Sequence, residues 1–211
     1  MAFVVREVSD DEIPRVCEIE SVSFNDGPLA PILAPGPFPE DGTEEQVEQW
    51  IKTRKENSSI RYMQAYDEAA GKMAAFSQWY ILDTPEAVAT AARPSPPTVI
   101  PGKNAEACSL FFSSMVEQKR AILGDKPHIY LRLLLTDPAF QGRGAGSLLM
   151  KWGIEKSEEL GLPIYLESSE AGYKFYQNRG FKDVEVLEID FRPHGGPIHK
   201  QPLMMRFPGE A

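Results

Sequence analysis

Leu133-Leu134-Leu135-Thr136-Asp137-Pro138-Ala139-Phe140-Gln141-Gly142-Arg143-Gly144-Ala145-Gly146-Ser147-Leu148-Leu149 is the stretch on which the fold turns. The run Ile129 to Leu135, apolar apart from Arg132, has the pattern of a central strand. It leads into a turn with three glycines and then into an amphipathic helix from about Gly146 to Leu160. Successive backbone N–H groups in such a turn form a concavity that binds anions. The helix start adds partial positive charge and unpaired donors. Glycine lets phosphate oxygens approach the backbone, and Arg143 brings a fixed positive charge. The dinucleotide fingerprint fails, because its third glycine would fall on Ser147 or on Leu149. The nucleoside-triphosphate loop also fails, because the turn has no lysine. Taken alone, the turn could still be a plain strand-to-helix connection.

Outward from this stretch, the element signals alternate. Phe3 to Val8 reads as a strand, and Ser9-Asp10-Asp11-Glu12 as a helix start with acidic residues where the dipole favours them. Pro28 to Pro39 reads as a loop, and Thr43-Glu44-Glu45-Gln46 has the spacing of a capping box opening a second helix. Ile60 to Tyr66 and Met73 to Leu82 read as strands around Glu68-Ala69-Ala70-Gly71. Leu110 to Leu123 reads as a helix, Pro163 to Glu167 as a short strand and Glu170 to Asn178 as a short helix ended by Gly180. Val184 to Phe191 and Leu203 to Phe207 are the final strands. Between Thr84 and Asn104 the composition shifts to Ala and Pro, which predicts a mobile insertion at 84–104. The expected architecture is one α/β domain over 1–211, with a mixed, largely antiparallel central sheet flanked by helices.

The composition sets limits on function. A net charge of −9 argues against nucleic acid as a partner, since phosphate neutralisation needs a basic face. Two cysteines, Cys17 and Cys108, do not make a disulfide framework or a zinc site, and the count suits a reducing compartment. No apolar run approaches the roughly 20 residues that cross a bilayer. The N-terminal residues turn charged too early for a signal peptide, so the expectation is a cytoplasmic protein with no membrane partner. Three histidines without clustered carboxylates predict no metal site. His194 and His199 flank Gly195-Gly196-Pro197, which reads as a turn between the last two strands.

Gln141-Gly142-Arg143-Gly144-Ala145-Gly146 resembles the Gln/Arg-x-x-Gly-x-Gly/Ala signature of the GNAT superfamily of N-acyltransferases. Tyr173-Lys174-Phe175-Tyr176-Gln177-Asn178-Arg179-Gly180-Phe181 resembles its second hallmark, a tyrosine followed four residues later by Gly-Phe. The stretch that carries the resemblance, His128 to Phe181, covers about a quarter of the chain. The resemblance implies acetyl-CoA as acyl donor, with its pyrophosphate on Gln141, Gly142, Arg143, Gly144, Ala145, Gly146 and Ser147. It implies pantetheine pairing along the strand edge at Leu134, Leu135 and Thr136, a mode that satisfies an unpaired edge. It also implies Tyr176 as the acid that protonates the leaving thiolate.

The chain departs from the family at two places. Ser169 stands where many relatives have an asparagine contacting the pantetheine arm, and it takes the cofactor-binding role in this reading. Tyr130, Leu131 and Arg132 occupy the neighbourhood where relatives carry a glutamate or histidine base, which leaves Glu167, or His128 farther back, as candidates acting through water. The resemblance thus implies an N-acetyltransferase acting by direct attack of a primary amine of a small molecule or peptide, without a metal, and with a homodimer as an open option. The alternative is a non-catalytic acetyl-CoA-binding regulatory or sensor module. Phe24-Asn25-Asp26 is expected to border the acceptor site or to be a plain loop.

Overall fold

A computed structural model describes residues 3–24, 27–38, 42–91 and 101–210. In chain order the strands are β1 (Phe3–Glu7), β2 (Ile60–Asp67), β3 (Lys72–Leu82), β4 (His128–Thr136), β5 (Ile164–Glu167), β6 (Lys182–Asp190) and β7 (Ile198–Arg206). The helices are α1 (Ile13–Phe24), α2 (Ala30–Leu33), α3 (Gly42–Glu56), α4 (Pro85–Ala91), α5 (Ala105–Leu123), α6 (Ala145–Leu160) and α7 (Glu170–Gln177). The strands form a seven-stranded sheet in the order β1-β2-β3-β4-β5-β7-β6. Its pairings β1/β2, β2/β3, β5/β7 and β6/β7 are antiparallel. This is the mostly antiparallel, helix-flanked α/β architecture expected from the sequence.

The contacts divide the chain into two compact units. The first contains Met1–Gly27, Glu40–Ile81 and Tyr130–Leu160. Its sheet presents one face to a core of Val8, Ile13, Val16, Ile19, Ile60, Tyr62, Met73, Phe76 and Leu135, onto which Val47, Trp50 and Ile51 of α3 pack. Trp50, Tyr62 and Phe76 meet edge to face at centroid distances of 5.1–5.6 Å, the geometry their ring quadrupoles favour. Trp79 is three residues from Phe76, so the two-residue period sends it to the opposite face. There it is fully buried and tilts against Trp152 of α6 at 5.7 Å. The β2–β3 turn is closed by Asp67, whose Oδ1 accepts the N–H groups of Ala69 (3.1 Å) and Ala70 (3.2 Å), with Gly71 at φ 62°.

The entry to α1 is also held by a side chain. The Glu12 carboxylate accepts the Ser9 N–H (3.0 Å) and O–H (2.8 Å), the Arg6 guanidinium (2.7 Å) and Gln64 Nε2 (2.6 Å). Partial burial pushes its pKa up, but these donors outweigh that and hold it at about 2.

The second unit contains Pro28–Pro39, Leu82–Ile129 and Gly161–Ala211. Its core joins Ile32, Ala107, Ile189 and Phe191, with Leu110, Phe111 and Leu187 packed against them. β6 lies at the end of the strand order and carries an irregularity between Asp183 and Glu185.

Two expectations change, and the expected insertion at 84–104 shows local structure at its ends. The segment 28–39 contains α2, with proline in its first turn, where a missing N–H costs nothing, and with Ile32 anchored in the core. The segment 84–104 contains α4, where Thr84 Oγ1 accepts the Ala87 N–H (3.1 Å) and Val88 is buried. At its far end Asn104 caps α5, accepting the Ala107 N–H at 3.1 Å, while the Gly36 N–H reaches the Gly102 carbonyl (2.8 Å). Residues 92–100 of the expected insertion lie outside the described residues, as do Asn25 and Asp26. Finally, α3 begins at Gly42, so Thr43 lies inside the helix, and Gln46 donates to Glu20 at 2.7 Å. Among the described residues, no helix is long and apolar enough to cross a membrane.

Two measurements probe this packing. A Cβ added at Gly153 would stand 2.5 Å from Cζ2 and 2.6 Å from Cζ3 of the buried Trp79 indole. Gly153→Ala gains helix propensity of up to about 1 kcal/mol, but overpacking against a rigid ring costs more. A net loss of about 2 kcal/mol is expected in urea unfolding, and an unchanged or higher midpoint would contradict it. For Glu12 the folded pKa lies below the unfolded value of 4.5. Its contribution is therefore complete above pH 4.5 and is lost as pH falls through about 2. The stability gap between wild type and Glu12→Gln should follow that window, and a gap independent of pH would refute the assignment.

Candidate active site

In the first unit, β4 delivers the chain into the glycine turn. Leu135 is buried in the core, whereas Leu134 and Thr136 are half-buried. The strand ends where the Asp137 N–H reaches the Ala74 carbonyl (3.0 Å) and Asp137 Oδ1 accepts the Ala139 N–H (2.8 Å). The Arg15 guanidinium pairs with the Asp137 carboxylate and bonds the Met73 carbonyl (3.3 Å). Burial raises the Asp137 pKa, but Arg15 and the Ala139 N–H outweigh it, so the carboxyl lies below its ordinary value.

Gln141 to Gly144 is exposed, and α6 starts at the buried Ala145. Gly142 (φ 72°) and Gly144 (φ 90°) occupy left-handed backbone, and a Cβ at either would meet nothing within 4 Å. These glycines are required by conformation, and the space in front of them is open. A helix start leaves backbone N–H donors ahead of its first closed turn, which here is made by the Leu148 N–H on the Gly144 carbonyl (3.2 Å). The turn therefore combines an open approach with backbone donors and the positive end of a sixteen-residue helix. Gln141 Nε2 reaches back to the Thr136 carbonyl at 3.4 Å.

The Arg143 guanidinium pairs with Asp67 at the end of β2 and lies over the rings of Phe140 (4.9 Å) and Phe3 (5.1 Å). Asp67 is buried. Its pKa is pushed up by desolvation and down, more strongly, by Arg143 and by the Ala69 and Ala70 N–H groups. Arg143 thus neutralises a carboxylate and ties the turn to the β2–β3 hairpin. A cavity of about 460 Å³ lined by Glu7, Arg54, Ser58, Ile60, Arg61 and Tyr62 shares no residue with the turn.

In the second unit, β5 leads into α7 through Ser168 and Ser169. Ser169 is the N-cap, and its Oγ accepts the Gly172 N–H at 3.2 Å. That contact uses an oxygen lone pair and leaves the hydroxyl proton able to donate. Ser168 is buried, with its carbonyl accepting Gln201 Nε2 (2.6 Å) and its N–H bonding the Pro202 carbonyl (2.8 Å).

The Tyr176 ring is 9% exposed and packs edge to face on Phe175 (5.3 Å) and Phe181 (5.7 Å). A Cβ at Gly172 would stand 2.8 Å from Tyr176 Cε2, so the small residue one turn earlier makes room for the ring. Gly180, at φ 84°, ends the segment, and the Phe181 N–H bonds the Tyr176 carbonyl (3.2 Å). Burial pushes the Tyr176 phenol well above its ordinary pKa, with a smaller opposing effect from Arg179. The hydroxyl therefore stays protonated at neutral pH and able to donate.

Glu167 is half-buried at the end of β5. His128 is buried at the start of β4, with Nδ1 2.8 Å from the Lys126 carbonyl, and burial lowers its pKa, favouring neutral imidazole. Among the described residues, no group of three or more His, Cys, Asp or Glu could hold a metal ion.

Gly172 escaped the sequence reading, although its position four residues before Tyr176 on a helix was a readable signal. The pairs Asp67–Arg143 and Arg15–Asp137 carried no such signal, since each joins residues more than seventy positions apart.

The acetyltransferase (GNAT) family model matches residues 29–181. An uncharacterized N-acetyltransferase of Schizosaccharomyces pombe is 29% identical over 83 residues, 39% of this chain and 35% of that protein. A probable acyltransferase of Ajellomyces capsulatus is 50% identical over 72 residues, 33% of this chain and 52% of that protein. The matches thus span about a third and about half of these relatives' lengths. Among solved structures, a GNAT superfamily phosphinothricin acetyltransferase from Sinorhizobium meliloti in complex with acetyl-CoA superposes with a TM-score of 0.60 at 13% identity. That superposition covers 99% of this chain and 90% of the other, a likeness of fold.

Proposed function

The chain belongs to the acetyltransferase (GNAT) family, and from that premise we propose that it is an acetyl-CoA-dependent N-acetyltransferase that transfers the acetyl group directly to an amine. The observation that carries this reading is the open turn Gln141–Ser147, with left-handed Gly142 and Gly144 ahead of α6, inside the span that the family matches. The pyrophosphate of acetyl-CoA is assigned to the N–H groups of this turn, and the pantetheine arm to the β4 backbone at Leu134, Leu135 and Thr136 and to the Ser169 hydroxyl. Because Arg143 is engaged by Asp67, backbone donors carry the phosphate contacts.

The acceptor amine, in its neutral form, adds to the thioester carbonyl. The resulting oxyanion is steadied by a backbone N–H near Leu135 or Thr136. The amine then loses a proton, for which Glu167 is the acceptor through water. The C–S bond breaks, and Tyr176 donates its hydroxyl proton to the departing thiolate, to be reprotonated from solvent. The products are the N-acetylated amine and free coenzyme A. The Tyr176 phenol is protonated at neutral pH, as a proton donor must be, and its packed ring holds the hydroxyl in place.

Two variants test the assignment. Gly144→Glu places a carboxylate and a strained φ where the phosphates are assigned. Calorimetry should show acetyl-CoA binding lost in a variant that still folds, and unchanged affinity would sink the proposed site. Tyr176→Phe removes one hydroxyl and keeps the packed ring. With an accepted amine, kcat and kcat/KM should fall together by about 10²-fold, the low end for a general acid, with acetyl-CoA affinity and thermal melting preserved. Near-normal turnover would remove Tyr176 from the mechanism.

A further inference from the structure

β4 reads His128-Ile129-Tyr130-Leu131-Arg132-Leu133-Leu134-Leu135-Thr136. Ile129, Leu131 and Leu135 are buried and Leu133 half-buried, yet Arg132 between them is exposed. A guanidinium is always charged and carries five donors in a planar fork. Acids outnumber bases 31 to 22 in this chain, and five of the ten described arginines pair with one. In the same unit Arg6 pairs with Glu12, Arg15 with Asp137, Arg54 with Asp10 and Arg143 with Asp67. Among the described residues, Arg132 forms no ion pair. Its hydrogen bond runs from Nη1 to the Tyr80 hydroxyl at 3.4 Å, a long contact. Gln78 Nε2 reaches the same hydroxyl at 3.4 Å, and the Tyr80 ring lies beside that of Tyr130 at 5.7 Å. The acid whose field reaches Arg132 is Glu20 on α1, and its carboxylate already accepts from Gln46 at 2.7 Å.

We propose that Arg132 and the Tyr80 hydroxyl recognise a carboxylate carried by the acceptor, so that the acceptor class is amino acids and related aminocarboxylates. The inference rests on the acyltransferase reading above, which by itself leaves the acceptor open. Arg132 and Gln78 Nε2 supply N–H donors and Tyr80 an O–H. The complement of such a group is an ion that only accepts, and a carboxylate matches the planar fork with two oxygens. A phosphate dianion would call for more than one cation, and the net charge of −9 works against a highly anionic acceptor. Arg132 also precedes the proposed thioester-holding residues on the same strand, within reach of a small molecule, at about 3.3 Å of rise per residue.

The test pairs each of the twenty amino acids, β-alanine and γ-aminobutyrate with its α- or ω-carboxamide. Binding is read by calorimetry to the free protein and to its coenzyme A complex, and turnover by mass spectrometry with acetyl-CoA. At least one carboxylate should bind about 10- to 100-fold more tightly than its own carboxamide, the range of a charge-assisted contact. Arg132→Gln should erase that preference and Arg132→Lys keep part of it, with acetyl-CoA affinity and melting unchanged in both. Equal binding of carboxylate and carboxamide by wild type, an equal loss of both in Arg132→Gln, or no carboxylate bound at all would overturn the proposal. If acetyl-CoA itself does not bind, the acyltransferase reading fails, and the arm without coenzyme A still decides the role of Arg132.

Discussion

An anion site made of backbone N–H groups works only if the turn stays open and charged side chains stay out of it. Around Gln141–Ser147, the proposed anion site, this constraint is met by two ion pairs, Arg15–Asp137 and Arg143–Asp67. Asp137, whose carboxylate would repel phosphates, is held by Arg15 of α1. Arg143 is held by the buried Asp67. Removing Arg143 would leave that carboxylate buried without its partner, which is a costly state. The left-handed glycines then curve the backbone without filling the space before it. Behind the turn, Gly153 lets α6 come close enough to cover Trp79, which aligns the helix that supplies the donors.

The second unit shows the same economy around Tyr176. Ser169 caps α7 with a lone pair, Gly172 clears the space for the tyrosine ring, and Phe175 and Phe181 close on the ring's sides. The ring is thereby fixed in position, as the proton donation proposed for Tyr176 requires. A larger residue at 172 would disturb the ring without touching the chemistry of its hydroxyl.

The places where the structure departs from the sequence reading share a cause. α2 and α4 are short, proline-containing helices whose order comes from one buried side chain each, Ile32 and Val88, and not from periodicity. Thr43 and Gln46 have capping-box spacing, yet Gln46 is drawn to Glu20 on another helix. The partner of Arg143, Asp67, lies 76 positions away, and a sequence motif shows only neighbours along the chain. Local spacing identifies elements well when many residues vote together, and poorly when a single long-range contact decides.

The sequence by itself determined the strand–turn–helix around Gly142–Gly146, the tyrosine motif at Tyr176, and the type of most elements, while α5 and β7 each begin five residues earlier than read. These depend on backbone conformation and hydrophobic period, which are properties of consecutive residues. Tertiary structure alone decided which charges are spent on the fold and which stay available. Arg132 stands inside the β4 run and Arg143 in the glycine turn, and neither local pattern shows what its side chain meets in space. The fold sets Arg143 against a buried carboxylate and Arg132 beside the Tyr80 hydroxyl, because pairing energy depends on distances in space that chain order does not specify.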